Sequence, residues 1–155
     1  MKAFRFSLQS VRVIRERKEQ VAQQNYAAAL RAHEVAAENL QRALAALTAA
    51  WRAAGQQLAA GANAAELRRA KSWCDSLEHG QKACAQELQS AKYALELASR
   101  ELMAAARERQ AMDSLHDKSR RAYDREAQRE EQKRLDEMGL QIATAGGGLR
   151  GRAVN

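Results

Sequence analysis

Two cysteines, Cys74 and Cys84, and three histidines, His33, His79 and His116, are the side chains of this chain best suited to hold a metal or carry nucleophilic chemistry. The cysteines stand ten residues apart, which on one helix is about 15 Å of rise, beyond the reach of a disulfide. His79 lies five residues from each, outside the short helical spacing that a metal site uses. His33 and His116 fall on periodic apolar faces, where packing is their ordinary role. The cysteines read as small core residues kept reduced. No catalytic residue, metal site or cofactor is implied, and the chain is not expected to be an enzyme.

The elements that carry these residues are long helices. The 155 residues include no Pro and only 5% aromatic residues, with 29% charged. Such composition describes helix with a narrow seam rather than a layered domain with a deep pocket. The net charge is +7 and the pI about 9.8, yet the 26 Lys and Arg are interleaved with 19 Asp and Glu. A nucleic-acid or anionic-membrane binder needs its basic residues gathered in a stripe, and a nucleic-acid binder adds aromatic platforms. No nucleic-acid partner is therefore expected. Lys2, Arg5, Arg12, Arg15, Arg17 and Lys18 form the most one-sided stretch, suited to an acidic partner. No apolar run approaches the ~20 residues of a membrane span, and Met1–Phe6 lacks the apolar core of a secretory signal, so a cytoplasmic location is expected.

Leu67, Ala70, Cys74, Leu77, Gln81, Cys84, Leu88, Ala91, Leu95, Ala98, Leu102, Ala105, Arg109, Met112 and His116 follow steps of three and four, and only Gln81, Arg109 and His116 are not apolar. A 3.5-residue repeat sustained over that length is a coiled-coil seam. A second seam runs through Tyr26, Leu30, His33, Ala37, Leu40, Leu44, Leu47, Trp51, Ala54 and Leu58. Between them, Gly61 can end a helix in the left-handed conformation, Asn63 can cap the next, and Glu66 completes a capping box. Folding the chain back there pairs residues whose numbers sum to about 124 or 125, with large facing small at most layers. The predicted fold is all-α, an antiparallel two-helix coiled-coil hairpin with an overhanging C-terminal helix end. Residues 1–140 form one unit: a first helix over about 3–59, a turn over about 60–63 and a second helix over about 64–138, before a flexible tail at 141–155.

Phe4, Leu8, Val11, Ile14 and Val21 lie off the frame that begins at Tyr26, which predicts a phase slip in the first helix. The pairing sets Leu8 opposite about His116. The first helix then cannot reach the stretch from Arg120 to Met138, which is rich in helix formers but has Leu135 as its one large apolar residue. A docking segment fits that pattern better than a frayed end.

The opening Phe4-Arg-Phe-Ser-Leu-Gln-Ser-Val-Arg-Val-Ile-Arg15 and the closing Arg125-Glu-Ala-Gln-Arg-Glu-Glu-Gln-Lys-Arg-Leu-Asp-Glu137 resemble the two ends of the flagellar export protein FliJ family. The resemblance spans nearly the whole chain and rests on both ends occurring at this spacing. It implies a coiled-coil stalk, similar to the stalk subunit of rotary ATP synthases, in the flagellar type III export apparatus. The partners implied are the hexameric export ATPase, the export-gate membrane protein and export chaperones, with peripheral association at the cytoplasmic face of the inner membrane.

Carried onto this sequence, the gate-contacting cluster falls on Trp73, Leu77, Gly80 and Cys84. Trp73 and Leu77 fit the family's aromatic-then-aliphatic pattern, whereas Cys84 replaces a polar aromatic residue. Trp73 reads equally as a ring lying over the alanine-rich first helix near Trp51. The ATPase-facing end combines Phe4, Phe6, Leu8, Val11 and Arg12 with Arg125, Glu126, Gln132, Leu135, Asp136 and Glu137. The stalk of a virulence-type injectisome, or a basic coiled coil binding nucleic acid or anionic membrane, are the alternative readings.

Overall fold

The structure, a computed structural model, describes residues 3–147. It consists of two helices, α1 (Gln9–Ala59) and α2 (Ala64–Gly147), with no strand among the described residues. The architecture is an all-α helical hairpin. Two compact units divide it, one of Glu16–Arg107 and one of Met1–Arg15 with Glu108–Asn155.

In the Glu16–Arg107 unit, the reversal at the tip is made by local chemistry. Gly61 takes φ +81°, a conformation that L side chains resist. The Gly61 amide donates to the Leu58 carbonyl at 3.1 Å and the Ala62 amide to the Gln57 carbonyl at 3.0 Å. This is the Schellman pattern that satisfies the orphan carbonyls at a helix C-terminus. On the other side, the Glu66 amide donates to Asn63 Oδ1 at 2.9 Å and the Asn63 amide to Glu66 Oε2 at 3.0 Å, closing a capping box.

Every α2 seam position of this unit, from Leu67 to Ala105, is buried or half-buried. Along α1 the structure corrects the outer part of the predicted seam. Tyr26, Leu30, His33, Ala37, Leu40, Leu47 and Ala54 are half-buried as the spacing requires, but Leu44, Trp51 and Leu58 are 44%, 46% and 64% exposed. The column one position away, Ala22, Ala29, Ala36, Ala43 and Ala50, is half-buried or buried throughout, with Ala22 and Ala36 the buried members. Both columns repeat every seven residues one position apart, so periodicity alone does not separate them. Close approach does, because alanine lets two backbones near each other while a Leu or Trp column would hold them apart. The most buried of the described residues are accordingly small: Ala22, Ala36, Cys74, Ala98 and Ala105. Cys74 and Cys84 are free thiols.

In the Met1–Arg15 and Glu108–Asn155 unit, α1 starts at Gln9 and not near residue 3. Residues 3–6 have no regular structure, and Ser7 and Leu8 form a turn. The burial frame of α1 runs back without slipping through Arg12 and Arg15, leaving Val11 and Ile14 exposed at 37% and 62%. Charged residues occupy the seam here, so the predicted phase slip is instead a change in residue type at an unchanged frame. Opposite them Arg109, Met112 and His116 are half-buried.

The helix α2 continues past Met138 and through Gly139 to Gly147. One glycine costs a helix about 1 kcal/mol relative to alanine, too little to end it where Leu140, Gln141 and Ile142 follow. Thr144 Oγ1 donates back to the Leu140 carbonyl at 3.0 Å. From Gln128 to Thr144 every residue is exposed. The remainder of the expected tail, 148–155, lies outside the described residues.

The alanine column can be tested directly. Ala36→Leu should lower stability to urea by about 1–3 kcal/mol through overpacking, whereas Leu58→Ala should cost under about 1 kcal/mol. Equal losses from the two would return the seam to the Leu and Trp column.

Candidate docking surfaces

The gate-type cluster lies within the Glu16–Arg107 unit. Trp73 is 60% exposed, and Gly80, two turns further on α2, is exposed with nothing within 4 Å of where a Cβ would stand. Leu77 and Cys84 are half-buried on the seam, and Cys74, next to Trp73, is fully buried. The cluster is therefore an exposed indole and a bare stretch of backbone flanked by two side chains that offer one edge each. With 60% of Trp73 in solvent, much of its ring is open to a partner.

The second cluster lies within the unit of Met1–Arg15 and Glu108–Asn155, and the structure takes its two halves apart. Phe4 and Phe6 are half-buried against α2. The Phe4 ring meets His116 edge-on at 5.8 Å and Tyr123 at 5.5 Å, with the Arg120 guanidinium 5.3 Å from its centroid. Phe6 meets His116 edge-on at 5.1 Å. Leu8 and Val11 are 38% and 37% exposed.

Arg12 is held by Asp113, its Nε donating to Oδ1 at 2.8 Å, and Arg109 reaches the other oxygen of Asp113 at 2.6 Å. Arg15 pairs with Glu108. Arg12 and Asp113 sum to 125, the register that the sequence pairing expects. Hydrogen bonding from Arg12, aided by the charges of Arg12 and Arg109, holds the Asp113 carboxyl below its usual 3.8 against partial desolvation.

Contrary to the expected reach, then, the N-terminal segment covers α2 as far as Tyr123. Non-helical backbone can advance up to about 3.3 Å per residue against 1.5 Å in a helix, which lets a segment that has left the helix reach further along α2. None of these N-terminal contacts extends to Arg125 or beyond. Of the C-terminal half, Glu126 pairs with Arg129 at 3.7 Å and Gln132 donates to Asp136 at 2.9 Å, both within the helix. Arg125 and Glu137 are exposed, and Leu135 is 56% exposed.

Sequence reasoning missed two residues here. Because α2 runs on to Gly147, Met138 and Ile142 align with Leu135 at spacings of three and four, and they are 56% and 71% exposed. An apolar stripe i, i+3, i+7 on a solvated helix is the pattern that enters a partner's groove. The spacing was present in the sequence, but a helix ended at about 138 conceals it.

Two long helices packed against each other as a hairpin place the chain among coiled-coil proteins. The chain belongs to the FliJ family: the sequence profile of the flagellar FliJ protein matches residues 4–147. It is thereby a coiled-coil component of type III export, a family of non-enzymatic parts of that apparatus. The fold is similar to that of a YscO homolog, CT670, from Chlamydia trachomatis, with a TM-score of 0.52 and 17% identity over 98% of this chain and 100% of that one. No curated protein sequence matches the chain. No helix among the described residues is long and apolar enough to cross a membrane.

The ion pair at Asp113 sets an acid limit. A carboxyl whose folded pKa lies below its unfolded value gives its full stabilisation above about pH 4 and loses it as pH falls through the depressed value. Unfolding of the parent chain by urea should therefore become easier between pH 5 and pH 2.5 by more than that of Asp113→Asn. Parallel pH profiles would mean that Asp113 contributes nothing to this limb.

Proposed function

We propose that this chain is the stalk and adaptor of a flagellar type III export apparatus. In this reading the open end of the hairpin engages the hexameric export ATPase and modulates its turnover, with the chemistry remaining in the ATPase. The Trp73, Leu77, Gly80 and Cys84 cluster contacts the export-gate membrane protein, and the exposed helical faces receive export chaperones. The protein works at the cytoplasmic face of the inner membrane as a peripheral component.

The observation that carries this reading is the exposed stripe Leu135, Met138 and Ile142 on a helix that no other part of the described chain covers. A stripe of that kind gains free energy only when a partner buries it. The surrounding stretch from Asp117 to Glu137 has seven Lys and Arg and seven Asp and Glu, interleaved. Such a surface orients a protein partner, while a duplex or an anionic bilayer calls for one sign of charge. An injectisome stalk would share this anatomy, and the cognate ATPase distinguishes the two systems.

The test is the steady-state rate of a flagellar export ATPase with and without the chain at moderate salt, with co-sedimentation. Stimulation and co-assembly are expected. Leu135→Ala with Asp136→Ala should weaken engagement roughly tenfold or more while helicity is retained, given the cost of losing a buried apolar anchor. Unchanged affinity would remove the overhang from the interface. At the other cluster, Gly80→Ala should stabilise the chain by about 0.5–1 kcal/mol, since nothing occupies the space of its Cβ. The same change should weaken binding to the gate protein's cytoplasmic domain; a gain in stability with undiminished binding would show that no partner approaches the backbone there.

A further inference from the structure

We infer that residues 3–8 form a strap that pins α2, and that Phe4 and Phe6 act as positioning residues for the docking helix, leaving contact with a partner to other side chains. The inference begins with the two aromatic residues of the N-terminal segment. Both turn inward within the Met1–Arg15 and Glu108–Asn155 unit, and their targets His116, Arg120 and Tyr123 lie at i, i+4 and i+7, one face of α2. That is the face along which Arg109 and Asp113 already meet Arg12. The strap therefore lengthens the anchored part of α2 by more than two turns beyond the Arg12 pair.

The geometry is that of a clasp. His116 receives one phenyl ring from each side of Arg5, both near perpendicular at 79° and 85°. Phe4 is held in turn by Tyr123, tilted at 58°, and by the Arg120 cation over its face. Arg120 is also bonded to Asp124 at 3.2 Å, which ties the clasp to the next turn. The turn at Ser7 and Leu8 is fixed by the Gln9 amide on the Phe6 carbonyl at 3.2 Å, so the strap leaves α1 in a defined direction.

An isolated helix of this polarity is marginal in water, because nucleation is unfavourable and exposed ion pairs add little. Anchoring its root at Tyr123 removes the nucleation step for everything beyond. Leu135, Met138 and Ile142 are then presented on a helix that is already formed. A partner that binds them is spared that part of the ordering cost.

The clasp is tested by amide hydrogen exchange on the full chain, comparing the parent with Phe4→Ala/Phe6→Ala and, from the other side of the contact, Tyr123→Leu. Each variant should raise exchange of peptides spanning about residues 114–127 roughly five- to tenfold, the scale of lost aromatic and cation–π contacts, while peptides from 16–107 keep their protection. Phe4→Tyr should restore protection that Phe4→Leu does not. Parental exchange at 114–127 in the double variant, or equal rescue by Tyr and Leu, would overturn the strap.

The positioning role rests on the export reading and has its own arm with the export ATPase as probe. Phe4→Ala and Tyr123→Leu should weaken engagement by similar factors. Loss from Phe4→Ala with parental affinity in Tyr123→Leu would overturn positioning and make Phe4 a contact. Failure of the parent chain to bind the ATPase would bring down the export reading alone, since the exchange result involves no partner.

Discussion

Close approach of two backbones along an alanine column is the constraint on which the Glu16–Arg107 unit depends. Ala22, Ala29, Ala36, Ala43 and Ala50 face α2, and Cys74, Ala98 and Ala105 are the most buried residues opposite. A seam of small side chains buries little apolar area per layer, so stability must accumulate over many layers. This is why the helices are long, and why the tip must be fixed by capping rather than by a core. Trp51 and Trp73 stand one position off the best-packed columns, beside Ala50 and Cys74, and are exposed along with Leu58 near the tip. Their exposure is thus a by-product of the packing before it is an opportunity for a partner.

The unit of Met1–Arg15 and Glu108–Asn155 is held by a different physics on the same helical frame. Arg12, Arg15, Arg109, Glu108 and Asp113 take the partner-facing positions, half exposed and charge-compensated. Pairs of that kind contribute little stability in water but are demanding in geometry. They fix register where an alanine column, which slides easily, does not. Beyond them the aromatic strap replaces helix by chain without regular structure, and two phenyl rings take over the covering of α2. The order along α2 is thus ion pairs, then aromatic contacts, then bare helix.

Most of α2 was legible in the sequence, since all fifteen heptad positions from Leu67 to His116 are buried or half-buried. Its spacing is clearer because Leu67, Leu88, Leu95 and Leu102 mark one column while most of the neighbouring positions are charged or polar. On α1 two apolar columns lie side by side, and side-chain size pointed to the wrong one: hydrophobicity favours Leu44 and Trp51, whereas close approach favours Ala43 and Ala50. The tip was legible because Gly61, Asn63 and Glu66 act within a few residues of one another. The strap was not, because nothing local distinguishes Phe4 and Phe6 in a helix from the same residues in an extended segment. Their preference is decided by His116 and Tyr123, more than a hundred residues away. Of the candidate sites, the exposure of Trp73 and Leu135 follows from their being off the seam or beyond it. The separation of Phe4 and Phe6 from the Arg125–Glu137 stretch follows only from the strap.

The length of α2 is the remaining physical question, because the stretch from Gln128 to Thr144 is entirely exposed and yet helical through a glycine. Its composition supplies part of the answer: Glu, Gln, Lys, Arg, Leu and Met lose little side-chain freedom in a helix, and the Arg129–Glu126 and Gln132–Asp136 contacts each add a few tenths of a kcal/mol. These terms favour propagation and do nothing for nucleation, which is the unfavourable step. Nucleation is supplied further back, where Arg12 grips Asp113 and Phe4 grips Tyr123. A helix grown from an anchored root needs only that each added residue be slightly favourable, and Gly139 is a single interruption of about 1 kcal/mol in that series. The polarity of the outer stretch thus serves two ends: it keeps an unpaired helix soluble, and it leaves Leu135, Met138 and Ile142 as the apolar line that a partner's groove can read.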